Sequence, residues 1–443
     1  MILIICILNL LTFMVVTRIS YYIYGLSVNF LSIFSLWWMF NLSLAVVNPK
    51  NFYHLSLETI IYCYISIILL MIGALVATSI KANISISSRY IANIVSISKC
   101  RITILSIISL IVAIYFGYIT LNYSILSGLS AQELRNTMFF SEQFLGNPLF
   151  GRFSVFMWLI KALIIIVLFH ALYDYMNSYK YRIVLITSVI SMLILDAGSG
   201  GRGGSLWVIF IITSLFFITY NLSSRQYNQR GLIKVGVLIG SLGLLMIIIV
   251  SSLRAKTGHS ILYSVYDYYV SYFTGPFYLF DQYLNSSDDL EARFGAFLMG
   301  FDTIFISGVA RFLFNVDIPS VLSQTSGMMH YGYDVSDTLR LNANYTYLFP
   351  LYLDGGVYVL IIGNFVLGFI SVLITKWFYR SGSFPSFSLL LILYIFALNS
   401  PLKSLFENPS FALVVLYIGF YLFMSKIRRV SGKYFRVSKK DIY

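Results

Sequence analysis

Arg202 stands alone among glycines in the stretch GSGGRGGS, between two apolar runs. A guanidinium beside hydrocarbon is costly and is retained where it does a job. Glycine lets backbone amides approach an anion, and the apolar run starting near Ser205 offers a helix N-terminus with its partial positive charge. Amides and a guanidinium together suit a phosphate or pyrophosphate. The plainer alternative is a tight helix-helix turn with Arg202 snorkelling to headgroups. Gly198, Gly200 and Gly203 also spell GxGxxG, but no βαβ unit surrounds them, so a dinucleotide site is excluded.

Further arginines are Arg135, Arg152, Arg254, Arg293, Arg311 and Arg340, and Arg135 heads an R-x10-G spacing that ends at Gly146. Arginine grips phosphate and carboxylate with a planar fork that lysine lacks. The alternative for most of them is a surface pair with a nearby carboxylate. The run YSVYDYYVSYFTGPFYLFDQY places Tyr266, Tyr269, Phe273, Phe277 and Phe280 at helical spacing, with Tyr272, Asp267 and Asp281 beside them. Such rings stack on sugars and such carboxylates accept hydroxyl hydrogen bonds; an amphipathic helix in an aromatic belt has the same pattern. In RLNANYTYLFPLYLDGGVYVL a polar approach with Asn344 and Tyr345 enters an apolar run broken at Pro350 and again at Asp354-Gly355-Gly356. Broken helices at membrane depth line cavities. Asp354 there either acts on a substrate hydroxyl or caps the following helix. His54, His170, His259 and His330 show no metal spacing, and His259 and His330 are reserve general bases.

The elements that must carry these residues are membrane helices. Of 443 residues 59% are hydrophobic and 11% charged, with a mean hydropathy of +0.83, whereas soluble domains carry about 25% charged residues. Runs of span length fall near 2–16, 25–47, 57–80, 102–122, 154–173, 183–197, 205–220, 235–252, 355–375, 385–400 and 409–425. The expected fold is therefore an all-α polytopic membrane protein of about eleven transmembrane helices. The first apolar run has no basic n-region or cleavage site and reads as a retained span. Cys6, Cys63 and Cys100 have neither disulfide nor metal spacing.

Basic residues cluster in alternate loops, at Arg89–Arg101, Lys180–Arg182, Arg225–Lys234 and Lys376–Arg380, and then in the tail KIRRVSGKYFRVSKK. Those loops face the cytoplasm. The N-terminus and the loops 48–56, 123–153, 198–204, 254–354 and 401–408 then face outward. The net charge of +13 reflects this bias and attraction to anionic membrane lipids, and no nucleic-acid module accompanies it. Four regions follow: an N-terminal membrane bundle (1–253), a large outward loop with interfacial or re-entrant helices (254–354), C-terminal spans (355–425) and a basic tail (426–443). The run 294–314 is long enough to cross, but Asp302 and Arg311 within it favour an outward or re-entrant helix.

Three of these stretches, GSGGRGGS, YFTGPFYLFDQYL and NANYTYLFPLYLDGGVYVLIIG, resemble the bacterial O-antigen polymerases of the Wzy type, the oligosaccharide repeat unit polymerases. With the span pattern the resemblance covers most of the chain. It departs at Gly356, where DFG-like variation is expected and the chain reads DGG. The resemblance implies a GT-C type glycosyltransferase of the bacterial inner membrane, acting at the periplasmic face on undecaprenyl-pyrophosphate-linked saccharides. It implies no nucleotide sugar, cofactor or metal, and a chain-length regulator and a flippase as partners. In that chemistry Arg202, with Arg254 and Arg340, would stabilise the leaving pyrophosphate. Asp354, or else Asp281 or His330, would serve as base. Arg135, Tyr266, Tyr269, Tyr272, Asn344 and Tyr345 would hold the saccharide. An O-antigen ligase and a repeat-unit flippase are the alternatives; one dominant outward loop and few deep charges favour the polymerase.

Overall fold

A computed structural model describes residues 2–26, 28–48, 51–79, 99–127, 148–178, 182–198, 203–222, 261–286, 294–314, 333–337, 339–341 and 345–438, with Val237, Ser241, Leu245, Ile248, Val316 and Val321. The helices are α1 (Ile2–Tyr24), α2 (Phe30–Val47), α3 (Leu57–Thr78), α4 (Lys99–Ser127), α5 (Pro148–Ser178), α6 (Arg182–Gly198), α7 (Gly203–Leu222) and α8 (Ile261–Asn285). A broken segment, Ala296–Phe314, comprises a 3-10 turn, one α turn, a π turn over Asp302–Gly308 and a last helix α9 (Val309–Phe314). A two-stranded antiparallel ribbon, β1 (Tyr333–Ser336) and β2 (Leu339–Leu341), comes next. The chain closes with α10 (Leu348–Leu353), α11 (Gly356–Ser381), α12 (Phe384–Asn399), a 3-10 turn Leu405–Glu407 and α13 (Pro409–Ser438).

Among the described residues seven helices are long and apolar enough to cross a membrane, and further shorter apolar helices accompany them. The protein is a multi-pass helical membrane protein. Ten of the expected spans coincide with helices; the eleventh, 235–252, lies almost wholly outside the described residues. α4 shows why lipid is the solvent. Ile104, Ile107, Ile108, Ile111, Ile114, Tyr115 and Tyr118 form an exposed apolar stripe at helical spacing, while Ile102, Ser106, Ala113 and Phe116 are buried on the opposite face.

Local chemistry sets the boundaries. Gly25 turns the chain with φ of 66°, and Asn29 and Ser32 form a reciprocal capping box that starts α2 at Phe30. The most closely packed pair is α3 with α11: Gly73 lies on the backbone of Phe365 and Phe369, and Gly368 on that of Leu70. Small residues of this kind let helix backbones meet in lipid. The seam also buries polar groups, the Tyr347 hydroxyl donating to Asn364 at 2.5 Å.

Tertiary contacts sort the helix ends into two sets that match the loop alternation. At one end Asn221 bonds Val28, Tyr173 donates to the Gly382 carbonyl at 2.7 Å, and Lys376 donates to the Ala77 carbonyl at 3.3 Å. At the other, the outer end in the orientation the basic residues imply, the 48–56 loop meets the ribbon: the Tyr53 amide donates to Val335 O at 2.7 Å and its hydroxyl to Asp337 at 3.0 Å. Asp337 raises the pKa of Tyr53 chiefly through that hydrogen bond.

Two expectations change. The run 294–314, expected as an outward or re-entrant helix, is a chain of short helical turns. The last helix continues without a break from the expected span into the expected tail, as far as Ser438.

Candidate functional site

The irregular backbone of the outer half is sunk into the bundle. The Trp37 indole, near the middle of α2, donates to Leu398 O at 2.8 Å, so α12 ends level with the centre of α2. The segment 400–408 therefore begins at depth. Tyr347 reaches the same level: its amide donates to Ser400 O at 3.0 Å, and its ring meets Phe34, Trp38 and Phe396 edge-on. From there α10 climbs back to Asp354, and Gly356, with φ of 60°, adopts a left-handed backbone that glycine accepts without strain. The third strip is Gly295–Phe301. Phe297 packs edge-on against Phe396 with ring centroids 6.4 Å apart, and against Phe406 at 5.8 Å. Gly300 lies on the backbone of Phe406 and Asn408. Three strips of irregular backbone thus pack together, an arrangement tolerated in lipid where protein encloses it. Two buried hydroxyls on the Tyr345 strip, Tyr345 Oη and Thr346 Oγ1, have no hydrogen-bond partner among the described residues. Buried polar groups without partners are uncommon.

Four carboxyl side chains hold this end together. Asp354 accepts from the amides of Gly295, Ala296 and Phe297 at 2.7, 2.6 and 3.0 Å. It therefore caps the broken segment and not the helix that follows it in sequence. Asp281 accepts from the Ser56 amide at 2.9 Å, from the Thr59 hydroxyl at 2.7 Å and from the Ser56 hydroxyl, which fills the N-terminus of α3. Asp196, buried at the end of α6, accepts from the Ser205 amide at 3.2 Å and so occupies the start of α7. A side chain at Gly204 would collide with Asp196, which explains that glycine by close approach. The helix N-terminus expected to help bind an anion is taken by the protein's own carboxylate. Any anion contact from GSGGRGGS falls to the 199–202 turn, outside the described residues.

The fourth is Glu407. It sits on the 3-10 turn in a capping box with Ser404, its Oε1 accepting from the Ser404 amide at 3.1 Å. Desolvation pushes its carboxyl up to about 7, against the lowering effects of Lys403 and of the Ser404 amide. Sequence reading overlooked it. The signal was an S-x-x-E capping box in an outward loop, which by itself marks only a helix start.

The other expected residues divide. Arg202, Arg254, Arg135, His330 and Asn344 lie outside the described residues, and of Arg340 only its place on β2, opposite Asp334, is described. Trp207 in the second turn of α7 packs edge-on against Phe411 in the first turn of α13, with centroids 4.7 Å apart. That brings the start of α7 beside the start of α13, which follows the Glu407 strip. Along α8, Phe273, Phe277 and Phe280 are buried, packed on Trp37, Trp38 and Tyr352, so these rings are core and have no face left for a sugar. Tyr266 is exposed, Tyr269 and Tyr272 are half-buried, and Tyr345 is buried against Phe349.

Elsewhere at the outer end a cleft of about 370 Å³ is lined mostly by aliphatic side chains, with Asn48 and His54, and has no carboxylate or arginine in its lining. Among the described residues no group of three His, Cys, Asp or Glu side chains is arranged to hold a metal. Comparison of the chain with family models, with curated proteins and with solved structures finds no match.

Proposed function

We propose that this membrane protein is a surface-polysaccharide polymerase of the O-antigen type. In this reading it has about eleven spans and sits in the bacterial inner membrane. It joins undecaprenyl-pyrophosphate-linked repeat units at the periplasmic face as a GT-C type glycosyltransferase. The observation that carries the reading is convergence. Stretches near residues 300, 346 and 405, far apart in the chain, meet as irregular backbone in the outer half, close to the start of α7. A lipid-linked donor presents its pyrophosphate at this level while its hydrocarbon stays in the membrane.

The chemistry asked of the site is modest in kind. An acceptor hydroxyl attacks the anomeric carbon, the bond to the phosphate oxygen breaks, and pyrophosphate leaves with the electron pair. Arg202, with Arg254 and Arg340, opposes the charge that accumulates on the leaving group. Saccharide contacts away from the reacting carbon, from Tyr266, Tyr269, Tyr272 and the Asn344 strip, align the two partners. A chain-length regulator and a flippase complete the system.

Surface polysaccharide from a strain lacking this chain provides the test. Polymer disappears while a single repeat unit remains on its lipid acceptor if the chain is a polymerase. Loss of both polymer and single unit assigns it to transfer onto the acceptor or to export, and overturns the polymerase reading.

A further inference from the structure

The reaction needs a proton acceptor for the attacking hydroxyl, and two carboxylates named from sequence for this role are already engaged. Asp354 spends its oxygens on three backbone amides, and Asp281 on Ser56 and Thr59. Resting on the polymerase reading, we propose that Glu407 is the general base: it takes the proton from the acceptor hydroxyl as the new glycosidic bond forms.

Four observations support this. Glu407 is partly buried, on a turn packed against the Gly295–Phe301 strip. Its turn is braced on three sides, by Phe406 stacked on Phe396 at 5.8 Å, by Gly300 on the backbone of Phe406 and Asn408, and by the Ser404 cap. Rigid placement of this kind is what a base within reach of one hydroxyl requires. One oxygen accepts from Ser404, and the other has no hydrogen-bond partner among the described residues. Finally, Phe411, four residues on, packs against Trp207 and so holds the turn close to the start of α7.

The proton balance closes without a co-reactant. The hydroxyl oxygen bonds the anomeric carbon, its proton passes to the Glu407 carboxylate, and the pyrophosphate departs as an anion. Water at the outer face then takes the proton. Burial holds the carboxyl near neutrality, so the ionised, competent form grows as pH rises through about 7. Lys403 and the Ser404 amide, on the same turn, favour ionisation against that burial.

The test is polymer synthesis in the deletion strain complemented with the full-length chain, at matched membrane levels, over a medium pH of about 6 to 8. Glu407→Gln is expected to lower polymer formation about a hundredfold or more, with Glu407→Asp restoring part of it. Lys403→Met keeps the base but shifts the rise of activity to higher pH, which a merely structural glutamate would not do. If Glu407→Gln makes normal polymer, or Lys403→Met leaves the pH profile in place, Glu407 is not the base and the polymerase reading stands. If the strain without the chain makes normal polymer, the polymerase reading itself fails.

Discussion

Asp354 illustrates how one carboxylate can look catalytic in sequence and be structural in space. Its position at the DGG break invited a role on substrate, yet its oxygens accept from three successive amides 57 to 59 residues away. Each hydrogen bond to a charged group is worth about 1.5–3 kcal/mol, and three on one carboxylate are not additive. Asp354→Ala should therefore release the Gly295–Phe301 strip and lower thermal stability of the purified protein. Asp354→Asn, which keeps one acceptor oxygen, should be milder. Undiminished stability of the alanine variant, together with lost polymer, would return Asp354 to the chemistry. Asp196 and Asp281 teach the same lesson: Asp196 accepts from the Ser205 amide at the start of α7, and Asp281 holds Ser56, the cap of α3.

At the scale of elements, hydropathy made the spans legible, because in lipid every long helix must be apolar and satisfy its own backbone. The loop alternation was legible too, and contacts such as Asn221 with Val28 and Tyr53 with Val335 pair the ends it predicts. What sequence concealed was partnership. The aromatic face of α8 reads equally well as sugar platform, membrane belt or core, and only Trp37 and Trp38 across from it decide for core. The sunken strips were legible only as breaks, since their depth depends on α12 ending early beside Trp37. The join between the start of α7 and the start of α13 is directly testable. With Cys6, Cys63 and Cys100 replaced by serine, Trp207→Cys with Phe411→Cys should be bridged by a short bifunctional thiol reagent. Trp207→Cys with a cysteine at Tyr220, near the opposite end of α7, should not. Absence of a bridge in the first pair would separate the two helix starts and overturn this packing.

At the scale of the whole molecule, the protein is a lipid-embedded helical bundle with hydrocarbon-facing stripes around it. The central proposal is that Arg202, in the segment between α6 and α7, meets the pyrophosphate of a lipid-linked saccharide. The most direct measurement is the chain-length ladder of surface polysaccharide from cells carrying Arg202→Ala at the wild-type membrane level. Loss of one charge-stabilising donor typically costs about a hundred- to a thousandfold in rate, so the ladder should collapse to the single repeat unit. Arg202→Lys, which keeps charge without the planar fork, should leave a shortened ladder. A full-length ladder of normal intensity from Arg202→Ala would contradict the account.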